Sequence, residues 1–89
     1  MGIPLRIVEP PGDDPGVTYS PGDMWREHEC WAVILPNGEV WYSGIAAADG
    51  SYWTVTGEAP KITVHPSIDD RDPRNPWHGW IRDGELVNA

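Results

Sequence analysis

Phenylalanine is absent from this chain of 89 residues, cysteine occurs once, and Lys plus Arg number 6 against 14 Asp plus Glu. Each scarcity excludes something. A single cysteine, Cys30, permits no internal disulfide, so a disulfide-stapled secreted mini-protein is ruled out. A net charge of −8 repels phosphate backbones and anionic membranes, which argues against general nucleic-acid or membrane-surface binding. No run of like charge exceeds a doublet (Asp13-Asp14, Asp69-Asp70), too sparse for a phosphate-ladder mimic, so the acidity reads as solubility. The longest apolar run, Cys30 to Leu35, is too short to span a bilayer. The first residues lack the apolar core of a signal peptide, and Arg6 stands where a myristoylation signal needs Ser or Thr. The expectation is a soluble, intracellular protein.

What is present is Pro, Gly and Trp: 10, 10 and 6 residues. Pro and Gly are the poorest residues for a helix interior, and the aromatic content is too high for a solvated tail. The spacing then predicts strands. Ile3, Leu5 and Ile7 alternate with Pro4 and Arg6, an edge strand or extended arm, and Glu9 to Asp23 reads as a long loop. Cys30–Leu35 and Glu39–Tyr42 flank Pro36-Asn37-Gly38, a hairpin signal. Ala46–Ala48 reads as turn or loop. Tyr52–Thr56 predicts a further strand, broken at Gly57–Pro60, and Ile62 and Val64 mark another. Asp69–Pro76 reads as an exposed loop, and Trp77–Arg82, Asp83-Gly84 and Glu85–Val87 as a closing hairpin. The fold class expected is all-β, five to seven short strands in a mainly antiparallel sheet curled into a half-barrel or a small sandwich. The division expected is an extended Pro/Gly-rich arm over residues 1–23 and one small β-domain over 24–89. Most of Trp31, Trp41, Trp53, Trp77 and Trp80 are expected to lie in the core.

The chemistry-bearing residues allow several sites. His28, Cys30, His65 and His78 would suit a tetrahedral Zn²⁺, although no Cys-x₂-Cys or His-Glu-x-x-His spacing is present. Cys30 with His78 would make a thiol–imidazole nucleophile pair, but Cys30 lies in an apolar run where burial disfavours the thiolate. Ser67, His65 and the carboxylates Asp69, Asp70 and Asp72 contain the elements of a Ser/His/Asp set. No Gly-x-Ser-x-Gly elbow accompanies them, and the run reads as a solvated loop with local Arg–Asp pairing. Calcium-loop, Walker and dinucleotide spacings are absent.

Two blocks carry a family resemblance: Pro21–Trp25 leading to Val33–Gly38 and Trp41, and Gly57–Ile68 leading to Trp77–Leu86. Over about residues 21–87 the arrangement resembles small uncharacterised proteins of actinobacterial tailed phages and domain-of-unknown-function family 6527. The resemblance implies Ser67 and His78 as the positions to carry over, and a phage origin with a host-cytoplasmic location or, alternatively, a place in the virion. Many relatives carry a Cys-Pro-x-Cys-Gly zinc knuckle, which this chain lacks; some bacterial relatives are encoded beside ubiquitin-like conjugation genes. Together with the excess of aromatics and acids, this favours a non-enzymatic binding module engaging a host or phage protein. Its surface would be drawn from Trp25, Trp41, Trp77, His78 and Trp80, with no cofactor and with the N-terminal arm available for oligomer contacts. The alternatives are a minor virion component and a zinc-stapled domain or metal enzyme.

Overall fold

The computed structural model describes residues 2–10, 12, 18–45, 50 and 52–89; the turn expected at Ala46–Ala48 lies outside them. Nine strands are described: β1 (Ile3–Pro4), β2 (Arg6–Ile7), β3 (Asp23–Glu27), β4 (Cys30–Ile34), β5 (Val40–Tyr42), β6 (Thr54–Glu58), β7 (Lys61–Asp70), β8 (Trp77–Arg82) and β9 (Glu85–Asn88). The architecture is all-β. One sheet has the order β1-β9-β8-β7-β6, the other β2-β3-β4-β5. Every pairing is antiparallel except β2 with β3. The two sheets pack as a small sandwich and do not close into a barrel.

Period-2 alternation decides what lies between the sheets. On β7 and β8 the inward residues are Ile62, Val64, Ile68, Trp77 and Ile81; on β3 and β4 they are Met24 and Val33. Leu5, Leu35, Trp41 and Leu86 complete this core. The run from Cys30 is continuously apolar because the second sheet is covered on both faces. Its outer residues Trp25, Ala32 and Ile34 form a separate buried cluster under Val8, Tyr19 and Tyr42, with the Tyr19 and Trp25 rings 5.1 Å apart.

The turn signals read from sequence hold where they are local. Asp83 (φ 46°) and Gly84 (φ 79°) both adopt the left-handed conformation that a two-residue hairpin requires, and join β8 to β9. Several elements differ from expectation: Asp23–Glu27 is a strand that no local signal marked, the strand expected from Tyr52 begins at Thr54, and two strands run further than expected. β6 continues through Gly57 to Glu58, and β7 continues to Asp70 instead of giving way to loop at Asp69. Both extensions are ladder effects: pairing with a neighbour holds residues whose own preference is for turns.

Residues 3–7 belong to both sheets. β1 pairs with β9, Leu5 is buried and donates its N–H to the Gly84 carbonyl, and β2 runs beside β3. The join is locked by Asp23, whose side chain is buried and ion-paired to Arg6 while it also accepts the Ser20 N–H. Burial by itself would raise the Asp23 pKa. The hydrogen bonds from Arg6 and Ser20 outweigh it and hold the carboxyl below its ordinary value. A depressed folded-state pKa contributes stability above the unfolded-state value, and that stability is lost as pH falls through the folded-state value. Asp23→Asn should therefore flatten the acid limb of stability. Between about pH 6 and about pH 3, the wild type is expected to lose more of its urea midpoint than the variant; equal losses would refute this role.

Candidate active site

The outward face of the five-stranded sheet carries Ser67 and Asp69 on β7 and His78, Trp80 and Arg82 on β8, the residues that alternate with the buried set. The ladder between these strands is irregular. Val64 pairs with Ile81 and Ile68 with Gly79, so three residues of β7, His65 to Ser67, face Trp80 alone. Beyond this bulge Asp69 stands directly opposite His78. Two extra residues preserve the inward and outward alternation but move Ser67 to the position diagonal to His78. Diagonal neighbours are within reach of a long side chain. The imidazole spans the gap, and His78 Nε2 lies 3.0 Å from Ser67 Oγ. A serine hydroxyl hydrogen-bonded to an imidazole nitrogen is the arrangement in which a general base can activate an oxygen nucleophile.

Both members are held from below. Trp53, just before β6, donates its indole N–H to the Ser67 carbonyl (3.2 Å) and sets its ring edge-to-face against the buried Trp41 (centroids 5.4 Å, 83°). On β8, Trp77 is buried and donates its indole N–H to Asn88 Oδ1 (2.7 Å), while the His78 carbonyl accepts the Ala89 N–H. Gly79 leaves the space this needs: a Cβ there would lie 2.2 Å from the Val87 carbonyl oxygen and 2.5 Å from the Trp77 ring. Around the imidazole, Trp80 lies 5.8 Å away, ring to ring, and carries the Arg82 guanidinium over its other neighbourhood at 4.5 Å. Asp69 accepts from Arg71 Nε at 2.8 Å. That local Arg–Asp pairing was expected from the sequence.

At the far end of β7 a cleft of about 200 Å³ opens between the sheets, with Trp41, Trp53 and Ile68 among its walls and Glu39, Asp69 and Asp70 among its polar lining. Asn37, in the β4–β5 turn, donates to Asp70 Oδ2 and to the Asn75 carbonyl, both at 2.8 Å, and so ties that turn to the end of β7. Glu39 sits above its ordinary pKa because it shares a hydrogen bond with Asp72, with added repulsion from the charges of Asp72 and Asp70 and some desolvation.

Of the five residues expected to form a binding surface, Trp25, Trp41 and Trp77 are buried in packing, and His78 and Trp80 share the outward face. The proposed metal ligands do not converge. His28 occupies the β3–β4 turn with φ 57°, Cys30 directs its thiol to the Glu27 carbonyl, His65 lies in the bulge, and His78 is paired with Ser67. Among the described residues, no three His, Cys, Asp or Glu side chains gather as a metal site. The thiol–imidazole pair is likewise not formed. No helix among the described residues is long and apolar enough to cross a membrane.

One protein-family model matches residues 13–89, that of the bacterial ubiquitination-like system serine protease, BubE. No curated protein and no solved structure matches the chain. The match overturns the expectation of a non-enzymatic, phage-encoded binding module, and with it the expectation that the protein is not an enzyme. The physical reason for the error lies in the bulge. Reading Asp69–Asp72 as a solvated loop, and requiring a nucleophile elbow, hid a serine that the β7–β8 ladder brings to a histidine eleven residues away.

The Gly79 contacts yield a direct test of how His78 is seated. Gly79→Ala should destabilise the protein by about 1–3 kcal/mol, the usual cost of overpacking, and shift the Trp77 side chain. Denaturant titration with tryptophan emission as the readout measures both, and a loss under about 0.5 kcal/mol would show that the site relaxes freely.

Proposed function

The chain belongs to the BubE family of bacterial ubiquitination-like system serine proteases, and from that premise we propose that it is a peptidase with Ser67 as nucleophile and His78 as general base. The observation that carries this is the 3.0 Å approach of His78 Nε2 to Ser67 Oγ inside the matched residues. In the proposed reaction the Ser67 hydroxyl proton passes to His78 as Oγ attacks the scissile carbonyl. The imidazolium then returns that proton to the departing amine, and an acyl group remains on Ser67. Water, deprotonated by His78, attacks the acyl carbon; the bond to Ser67 Oγ breaks, His78 returns the proton to that oxygen, and the new carboxylic acid leaves as the enzyme is regenerated. Asp69 stands across the ladder from His78, with its carboxylate engaged by Arg71. The substrate is a polypeptide belonging to a ubiquitination-like system, which replaces the unspecified host or phage partner as the reading to test.

A fluorophosphonate probe, which reacts preferentially with an activated serine, tests the assignment directly. Mass spectrometry should place the adduct on Ser67; Ser67→Ala should abolish it, and His78→Gln should slow it by about 100-fold or more. A stable adduct on another residue, or equal labelling of His78→Gln, would refute the assignment.

Trp53 is proposed as a positioning residue. Trp53→Phe retains the ring but removes the N–H held by the Ser67 carbonyl. The maximal rate of labelling should fall about tenfold, since small misplacements of a reacting group are costly, while the probe concentration for half-maximal rate stays unchanged. A purely structural role would alter thermal stability and leave the maximal rate intact.

A further inference from the structure

β6 ends before β7 does. The ladder between them stops at Thr54 opposite His65, and β7 runs on to Asp70. Among the described residues no strand pairs with Ser67–Asp70 on that side. The Ser67 carbonyl points there, since it accepts the Trp53 indole N–H. Backbone polar groups two residues apart on a strand face the same neighbour, so the Asp69 N–H and C=O point there too. The acid-rimmed cleft lies along this same stretch, with Ile68, Asp69 and Asp70 in its lining. Its wall holds an unsatisfied group: Trp41 is 6% exposed, and its buried indole N–H has no acceptor among the described residues. Buried tryptophan N–H groups normally have one. At the rim Glu39 shares a hydrogen bond with Asp72, Asp70 accepts from the neutral amide of Asn37, and Asp69 is paired with Arg71; among the described residues neither Glu39 nor Asp70 has an ion-pair partner.

We propose that the substrate polypeptide docks in extended form along the edge of β7 at Asp69, beyond the Trp53 indole that occupies the Ser67 carbonyl, and places a lysine or arginine side chain in the acid-rimmed cleft. This rests on the serine-peptidase reading above and adds to it a substrate class: an extended segment with a basic residue close to the scissile bond. Backbone pairing supplies affinity without sequence, and the pocket beside it supplies the selection, the division of labour general to strand addition. The aliphatic stem of a lysine or arginine suits the Trp41, Trp53 and Ile68 walls, and its cation meets Glu39 and Asp70 at the rim.

The test uses internally quenched peptides of neutral sequence in which one position, moved stepwise across the scissile bond, is lysine, norleucine or glutamate. At one position the lysine peptide should exceed norleucine in kcat/KM by about tenfold, with glutamate slower still. The preference should shrink at about 1 M salt, where surface charges are screened, and fall to within about twofold when Glu39→Gln and Asp70→Asn are combined. Binding of the same peptides to Ser67→Ala, followed by tryptophan fluorescence, reads docking without catalysis. Lysine should bind about tenfold tighter than glutamate, and N-methylation at alternate residues should weaken binding while methylation between them does not. Equal affinities for lysine and glutamate peptides, or indifference to N-methylation, would overturn the docking. If Ser67→Ala discriminates as expected while the wild type takes no fluorophosphonate at Ser67, the cleft stands and the peptidase reading falls.

Discussion

The pairing of β7 with β8 is the constraint on which the rest depends. Below the sheet it places Ile62, Val64, Ile68, Trp77 and Ile81 in one core with Met24 and Val33 of the opposite sheet. Above the sheet the same pairing sets Ser67 diagonal to His78 and Asp69 across from it. A regular ladder continued from Val64 and Ile81 would set Ser67 directly opposite His78 and turn the registry of Ile68 and Asp69 by two. The bulge shifts that registry by an even number, so no inward residue is forced outward, and only the position along the strand changes. A one-residue bulge would have reversed the faces beyond it and exposed Ile68. Bulges beside functional sites serve to re-aim a side chain in this way.

The dyad thus sits on the outward sheet face, with His78 exposed. Its precision must come from what lies underneath. Trp77 is buried and anchored to Asn88, Gly79 admits it, and Trp53 fixes the Ser67 carbonyl while resting on Trp41. Tryptophan suits this task because one side chain fills core volume and carries a single directed donor. A phenylalanine at either place would fill the space and leave the backbone carbonyl or Asn88 without its donor. The absence of phenylalanine and the count of 6 tryptophans fit that use in Trp53 and Trp77; Trp41, whose N–H has no acceptor, does not follow it.

Much of the fold was legible from local signals. Asn37-Gly38 and Asp83-Gly84 marked two hairpins, and alternation at Ile62 and Val64 and from Trp77 to Ile81 marked the strands that carry the core. The site was legible only in part. Ser67 and His78 stood in the block that carried the family resemblance, yet each looked unremarkable by itself: a serine after His65-Pro66 and a histidine between two tryptophans. Their meeting requires a long-range ladder with two extra residues in one strand, and nothing in local composition encodes registry of that kind. The zinc set failed for the complementary reason. His28, Cys30, His65 and His78 are compatible as ligand types, but period-2 geometry and the sheet order distribute them over a turn, a strand start and an outer face.

The acidity acquires a location once the chain is folded. Read as composition, −8 only excludes partners that carry the same sign. In the structure Glu39 of the β4–β5 turn and Asp69 and Asp70 of β7 line one cleft, and Asp72 of the following loop shares a hydrogen bond with Glu39. Asn37 holds Asp70 with a neutral amide and not a cation, so the charge is fixed in place without being cancelled. Arg71 takes up Asp69 alone. Preserving uncompensated like charge at one rim costs folding stability through repulsion, and the elements that crowd it are held there by the β4–β5 turn and the far end of β7. Chance surface acidity would relax by swinging apart on flexible side chains. Here Asn37 grips both Asp70 and the Asn75 carbonyl, which restrains that escape.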